Sequence, residues 1–420
     1  MDLFLGLFAL SLCFIAVIFF AKKYVFLSLL LVTGYLLRAL ASLANAYFLN
    51  LPDSQSDAIR FERLAWEWAE GGVLGALQHF TGPDSYFISW ILGVLYAATD
   101  RSLLMAQSVS MLFGMGTVLL GALLANKLWG QRAAVKAGWV LACFPTLILY
   151  SALVMREAYI WFFVLVAFYG VVLWVQRGSM RAIFLALAGF VGAAFFHGAM
   201  FVGAVFFMLY LGAHALKKLL FSLSRVRVHL FSLLLVGGVM VALFGYVASG
   251  ISLPKIGSFQ QAMSDERIIG IVESRTRGSG GEEGAMYPEW TQPSSAAELF
   301  IKAPVRMAYF LFSPFPWDVR TPTHLIGLFD GMLYILLVFI LWRNRLAIWA
   351  NPAARAMLFI TLGYVLVFSF GVGNFGTGLR HRAKFVAGLI ILAAPLLPML
   401  RVNRQLLKPS QPPALHQKQG

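Results

Sequence analysis

Charge is what this sequence has least of. Asp, Glu, Lys and Arg together make up 12% of the 420 residues, about half the ~25% of an ordinary soluble chain, while 60% of positions are hydrophobic. A chain this apolar cannot dress itself in enough polar surface to stay in water. Cysteine is nearly missing too. Cys13 and Cys143 are the only two; both lie inside apolar runs without metal-ligand spacing, which excludes a disulfide scaffold and a zinc module. Heptads, long repeats and low-complexity tracts are lacking, as are a Walker A loop, a dinucleotide fingerprint and a nucleophile elbow. What the sequence does have is one long apolar run after another. It reads as an all-α polytopic membrane protein.

A spanning helix needs about 20 apolar residues, fewer where neighbours bury it. Qualifying segments run near 3–20, 25–49, 103–125, 133–150, 158–175, 182–196, 199–215, 229–249, 325–341, 356–373 and 385–400, about eleven in all. Tyr86–Ala98 is also apolar, but short, and it is bounded by Asp84 and Asp100. Charge decides how to treat it, because Lys and Arg gather on the inner side of membrane proteins. If Tyr86–Ala98 does not cross, the inner segments are 21–24, 126–136, 176–181, 213–229, 342–355 and 401–420. These hold 18 of the 33 basic residues and no acid. If it crosses, every later basic loop changes side and the pattern is lost. The reading is therefore eleven spans plus a re-entrant or interfacial outer helix. The N-terminus is outside and the C-terminus inside a plasma (bacterial inner) membrane. The net charge of +15 is then a topology signal, which leaves the lipid bilayer as a partner and removes nucleic acid.

All 18 acidic residues fall on the outer side in this parse. One reading is that exported loops are more polar than short inner turns; the other is that the chemistry happens outside, on loops held by a rigid scaffold. The chain divides into an extra N-terminal helix (1–24), a transmembrane core (25–249) with a first outer loop at 50–102, an outer region (250–324), C-terminal helices (325–400) and an inner tail (401–420). The first helix lacks the basic start and small-residue cleavage site of a signal peptide. Within 250–324, a Gly-rich centre at 275–284 precedes an expected amphipathic helix near 295–311. Leu299, Phe300 and Ala303 share one face of it, with Lys302 and Arg306 elsewhere.

Two stretches carry candidate chemistry. In Leu51–Gly72, Asp53, Ser54 or Ser56 can cap a helix whose first turn holds Asp57. Ile59, Leu64 and Trp66 alternate with charge there, which suggests a helix lying along the membrane surface, and Glu62, Arg63 and Glu67 read as its solvated face. In Phe144–Ala158, Arg156 and Glu157 stand at an outer boundary with almost no loop around them. They form either a local ion pair or a site facing a wet cavity. His197 reads as a helix cap. Arg38 lies mid-membrane, where it must snorkel or pair within the bundle.

The outer-loop Asp57-Ala-x-x-Phe61 followed by an amphipathic helix resembles the first-loop signature of the GT-C superfamily of membrane glycosyltransferases. So do Gly82-Pro-Asp-Ser-Tyr-Phe87, the short helix ending Leu95-Tyr-Ala-Ala98 and the stretch Lys127–Arg132. Phe144-Pro, Tyr150-Ser and Arg156-Glu157 are similar to that superfamily's second outer loop. The resemblance covers residues 25–215. It departs at the lone Asp57, where many members have paired acids, and at the added first helix, so it leaves dependence on a divalent metal open and assigns no metal ligand.

The resemblance implies inverting transfer of a sugar from a polyprenyl-phosphate or pyrophosphate carrier to a glycan or glycolipid acceptor on the outer face. An acceptor hydroxyl then needs a carboxylate base, and a phosphate leaving group needs cations or a metal. Asp57 is the first candidate for the base, with Asp53 and Glu157 as alternatives. A lipid-linked polysaccharide polymerase or ligase would share this donor chemistry; a lipid-saccharide transporter is the non-enzymatic rival. Gly373–Lys384 reads as an outer turn before the last helix, with Arg380, His381, Arg382 and Lys384 against the positive-inside bias. They serve either as headgroup contacts or as a clamp for the carrier phosphate. In an extended turn Arg380 and Arg382 would share one side and one phosphate, with Lys384 and Arg156 adding charge.

Overall fold

The computed structural model describes residues 2–223 and 285–398, together with 234, 238 and 270. The expected span 229–249, the Gly-rich centre 275–284 and the tail 401–420 lie outside the described residues. Helices dominate; among the described residues the one extended pairing is an isolated bridge between Met286 and Asn374. In chain order the helices are α1 (Asp2–Lys23), α2 (Ser28–Tyr47), α3 (Ile59–Ala69), α4 (Gly72–Gln78), α5 (Phe87–Ala98) and α6 (Leu103–Trp129). Next come α7 (Gln131–Cys143), α8 (Pro145–Ser151), α9 (Glu157–Arg177), α10 (Met180–Phe196) and α11 (Val202–Leu223). The last are α12 (Ala296–Ile301), α13 (Ala303–Phe312), α14 (Pro322–Arg343), α15 (Arg345–Ala350), α16 (Pro352–Phe370) and α17 (Phe375–Ala393).

Seven of the described helices are long and apolar enough to cross a bilayer, and α7 with α8 would make an eighth across a 58° bend. The difference from the expected eleven has three sources. Helix α10 has only 17 residues, α17 carries Arg380, Arg382 and Lys384 in its first half, and 229–249 is not described. Small residues set the closest crossings, as in membrane bundles generally. A Cβ at Gly170 would enter the backbone of Ala186, and one at Gly189 that of Ala167, so α9 and α10 touch backbone to backbone.

Breaks in these helices create orphan carbonyls, and buried arginines meet them. Pro145 has no N–H to offer Leu141, and Phe144 is extended, so α7 ends with unsatisfied acceptors deep in the bundle. Arg38, fully buried, donates to Leu141 O (3.1 Å), Ala142 O (2.8 Å) and Ser151 Oγ (3.3 Å). This is the mid-membrane arginine whose partner the linear sequence leaves unnamed. Arg306 does the same for the end of α16, donating to Ser369 O, Phe370 O and Val372 O. That corrects the amphipathic reading of 295–311: Arg306 is buried, Phe300 is exposed, and the segment is two helices, α12 and α13.

Helix α5 packs along α3 and both its ends stay with it. Ser89 Oγ donates to Phe61 O (2.9 Å), Tyr86 meets the Phe61 ring, and Arg101 beyond the far end binds Glu62. Cysteines introduced at Thr81 and Asp100, both exposed and flanking α5, should therefore react with an impermeant reagent from the same side. Labelling from opposite sides would overturn this arrangement.

Candidate functional site

Segments far apart in the chain converge where α3 begins. Asp53 adopts a left-handed conformation (φ 64°), and the tight turn Ser54–Ala58 that follows holds Asp57 just ahead of α3. Asp53 caps nothing through its side chain; its Oδ2 accepts from the buried Tyr150 hydroxyl at 2.8 Å. That bond pins the turn to α8. After α8 the chain makes one more turn, and Glu157 opens α9 fully buried.

Arg380 joins these pieces. Its Nε donates to Glu157 Oε1 at 3.0 Å and its Nη1 to Asp57 Oδ2. Burial opposes its charge, but Glu157 and Asp57 outweigh burial, so its proton is held more firmly than in an ordinary arginine. Arg156 lies over the Phe61 ring at 5.0 Å and reaches Ser85 O and Phe196 O at 3.4 and 3.5 Å. Burial lowers its pKa, partly offset by Glu157. The expected Arg156–Glu157 pair is thus replaced by Arg380–Glu157. Lys384, one turn along α17 from Arg380, is buried over the Phe368 ring and sits in the electrostatic field of Glu157. His381 and His197 cross edge to face at 5.3 Å beside Phe368; the His197 backbone closes α10 as expected of a cap.

Valence is left over here. Arg380 Nη2, Arg156 Nε and Glu157 Oε2 are buried with no hydrogen-bond partner among the described residues. Buried polar atoms are normally satisfied, so these three leave the cluster with unmet hydrogen-bonding capacity. The Asp57 side chain keeps 37% of its surface exposed, which leaves the carboxylate reachable. Among the described residues, no three His, Cys, Asp or Glu side chains gather as a metal site.

Two sequence readings need correction. Residues 375–393 form a helix, started by Asn374, whose side chain accepts from Thr377 N at 2.7 Å. Two positions apart on a helix point to opposite sides, so Arg380 and Arg382 cannot share one phosphate. Arg382 is fully buried on the far face and binds Asp330 Oδ2 (2.9 Å), Leu311 O, Ser313 O and Gly327 O. It is a structural arginine. Glu62, read as solvated, is only 4% exposed. Arg101 binds it bidentately (2.9 and 2.8 Å), which raises the pKa of Arg101, and Tyr96 OH donates to it (3.1 Å). The buried face of α3 is Phe61, Glu62, Ala65 and Ala69, turned to α5, while Ile59 is exposed. The Arg63–Glu67 pair is exposed, as expected. Neither Glu62, read as solvated, nor Tyr150, named only within the second-loop resemblance, was given its role by the sequence, because their partners lie 39 and 97 residues away.

The fold and its apolar helices define a multi-pass helical membrane protein. The chain matches no family model, no curated protein and no solved structure.

Proposed function

We propose that this end of the bundle is the active site of a membrane glycosyltransferase, facing the outer side of a plasma membrane, with the N-terminus outside and the C-terminus inside. It moves a sugar, with inversion, from a polyprenyl-phosphate or pyrophosphate carrier to a glycan or glycolipid acceptor. The observation that carries the reading is a reachable carboxylate, Asp57, held by Arg380 beside buried guanidinium nitrogens that have no hydrogen-bond partner among the described residues. In the step itself the acceptor oxygen attacks the anomeric carbon and its proton passes to Asp57. The bond from that carbon to the carrier phosphate breaks, with its electron pair going to the phosphate oxygen. Arg380 Nη2 and Arg156 Nε stabilise that developing charge. A polymerase or ligase acting on lipid-linked saccharide would use the same arrangement with a longer acceptor.

Arg380→Lys is the sharpest test, because it keeps a cation beside Glu157 and Asp57 but loses the fork. Binding and turnover of a polyprenyl-phosphate hexose in lipid nanodiscs should fall roughly tenfold or more, in line with the ~1.5–3 kcal/mol of a hydrogen bond to a charged group. Arg380→Ala should be at least as damaged. Wild-type binding and turnover in Arg380→Lys would remove the clamp.

A further inference from the structure

Beside the Asp57 turn lies a second feature, a cavity of about 510 Å³, within the ~300–1,000 Å³ of small-molecule sites. Ser54, Gln55 and Ala58 of that turn form one wall, and the end of α2, the start of α6 and Leu153-Val154 form others. Helix α1 contributes Asp2, whose carbonyl accepts from Ser102 Oγ at 2.9 Å, so the added first helix closes the rim.

The lining is polar in a particular way. Four primary amides line it: Asn45, Asn50, Gln55 and Gln107. Amides both donate and accept; Asn45 Oδ1 already accepts from Leu51 N, and Gln55 Nε2 donates to Asn50 Oδ1. Gln107 is fully buried, yet neither its Nε2 nor its Oε1 has a partner among the described residues, and the buried Ser54 Oγ is in the same state. A buried amide left unsatisfied costs about 1–3 kcal/mol, a cost that a hydroxyl-bearing occupant removes. Charge disfavours an anion. Among the described residues the only cation in the lining is Arg101, whose Nε and Nη2 are engaged by Glu62, while Asp2 adds a negative charge to the rim.

We propose that this cavity binds a neutral saccharide unit, the acceptor sugar of the proposed transfer. Hydroxyl groups both donate and accept, as the amides do. The apolar side chains Ile59, Leu103 and Leu153 suit the C–H face of a sugar ring. As an acceptor site it rests on the glycosyltransferase reading; as a saccharide site it stands on its own lining. The cavity brings an acceptor alongside the Asp57 turn, while the donor phosphate lies at Arg380.

The test uses the whole protein in saccharide-free lipid nanodiscs and saturation-transfer NMR. The probes are methyl glycosides of neutral hexoses and of N-acetylglucosamine, with glucose 6-phosphate and methyl glucuronide as anionic counterparts. At least one neutral glycoside should bind saturably, and the anionic probes should not. Gln107→Leu should weaken that binding fivefold or more. Ala46→Trp, which fills the cavity without removing a polar group, should abolish it. Absence of neutral-glycoside binding to the wild-type protein, unchanged binding in Ala46→Trp, or preference for an anionic probe would each overturn the proposal. Arg380→Ala should keep the saccharide signal while losing donor turnover. Saccharide binding without any donor turnover in the wild type would sink the transferase reading and the acceptor role while supporting the saccharide site. Turnover without saccharide binding would sink the site alone.

Discussion

Asp57→Asn should lower transfer by ~10²–10⁴, the usual contribution of a positioned general base, with expression and thermal stability little changed. Asparagine matches aspartate in size and keeps an oxygen for Arg380 Nη1; what it loses is the capacity to take the acceptor proton. Glu67→Gln is the matched control. Its carboxylate is 54% exposed and meets only Arg63 at 3.6 Å on the open side of α3, a contact worth ~1 kcal/mol or less, so turnover there should stay at the wild-type level. Initial rates on a polyprenyl-phosphate hexose, with donor binding measured in parallel, separate a chemical defect from a binding one. Wild-type turnover in Asp57→Asn would remove Asp57 from the base role and leave Glu157 and Asp53 as the remaining carboxylates. Both are less suited: Glu157 is sealed from solvent, and Asp53 is engaged by Tyr150.

Arg382→Met should unfold the protein far more readily, by ~3–5 kcal/mol, because it leaves the Asp330 carboxylate buried without its countercharge, holding only the Thr146 hydroxyl, and takes a donor from three carbonyls. Replacing both partners, Arg382→Met with Asp330→Leu, should recover part of that loss, since the buried charge is then gone too. Donor binding per folded molecule should be preserved in both variants. Thermal unfolding in nanodiscs and donor titration read the two effects separately. Unchanged stability with lost donor binding would return Arg382 to the phosphate site. The contrast with Arg380 is instructive, since the two arginines sit in one basic run and differ only in which side of α17 they occupy.

How far the sequence reached depends on the range of the interaction being read. Apolar runs identified the membrane helices, and Asp84 with Asp100 bounded the short run that became α5; that α5 packs on α3 came only from the structure. Both signals are local in the chain. The neighbourhood of Asp57 was legible for the same reason: a polar turn between a long apolar helix and an amphipathic one is a short-range pattern. Glu62 was misread because its environment is set by α5 and Arg101, and no periodicity within α3 announces them. The 373–384 stretch was misread because its three glycines suggest a turn, whereas Asn374 starts a helix there and packing against α16 and Tyr287 carries it through.

By itself, then, the sequence determined the class of protein and pointed to three stretches, 51–72, 144–158 and 373–384, that meet at the site. Only the tertiary structure decided which charges belong together. Arg380 reaches Glu157 across 223 positions and Asp57 across 323. Arg38 and Arg306 are spent on carbonyls at helix breaks, and Arg382 on Asp330 and further carbonyls. The physical reason is the same in each case. In a bundle with little water, every broken helix end and every buried charge must find its partner within the protein, and those partners are chosen by how the helices pack, not by what stands next to them in the chain.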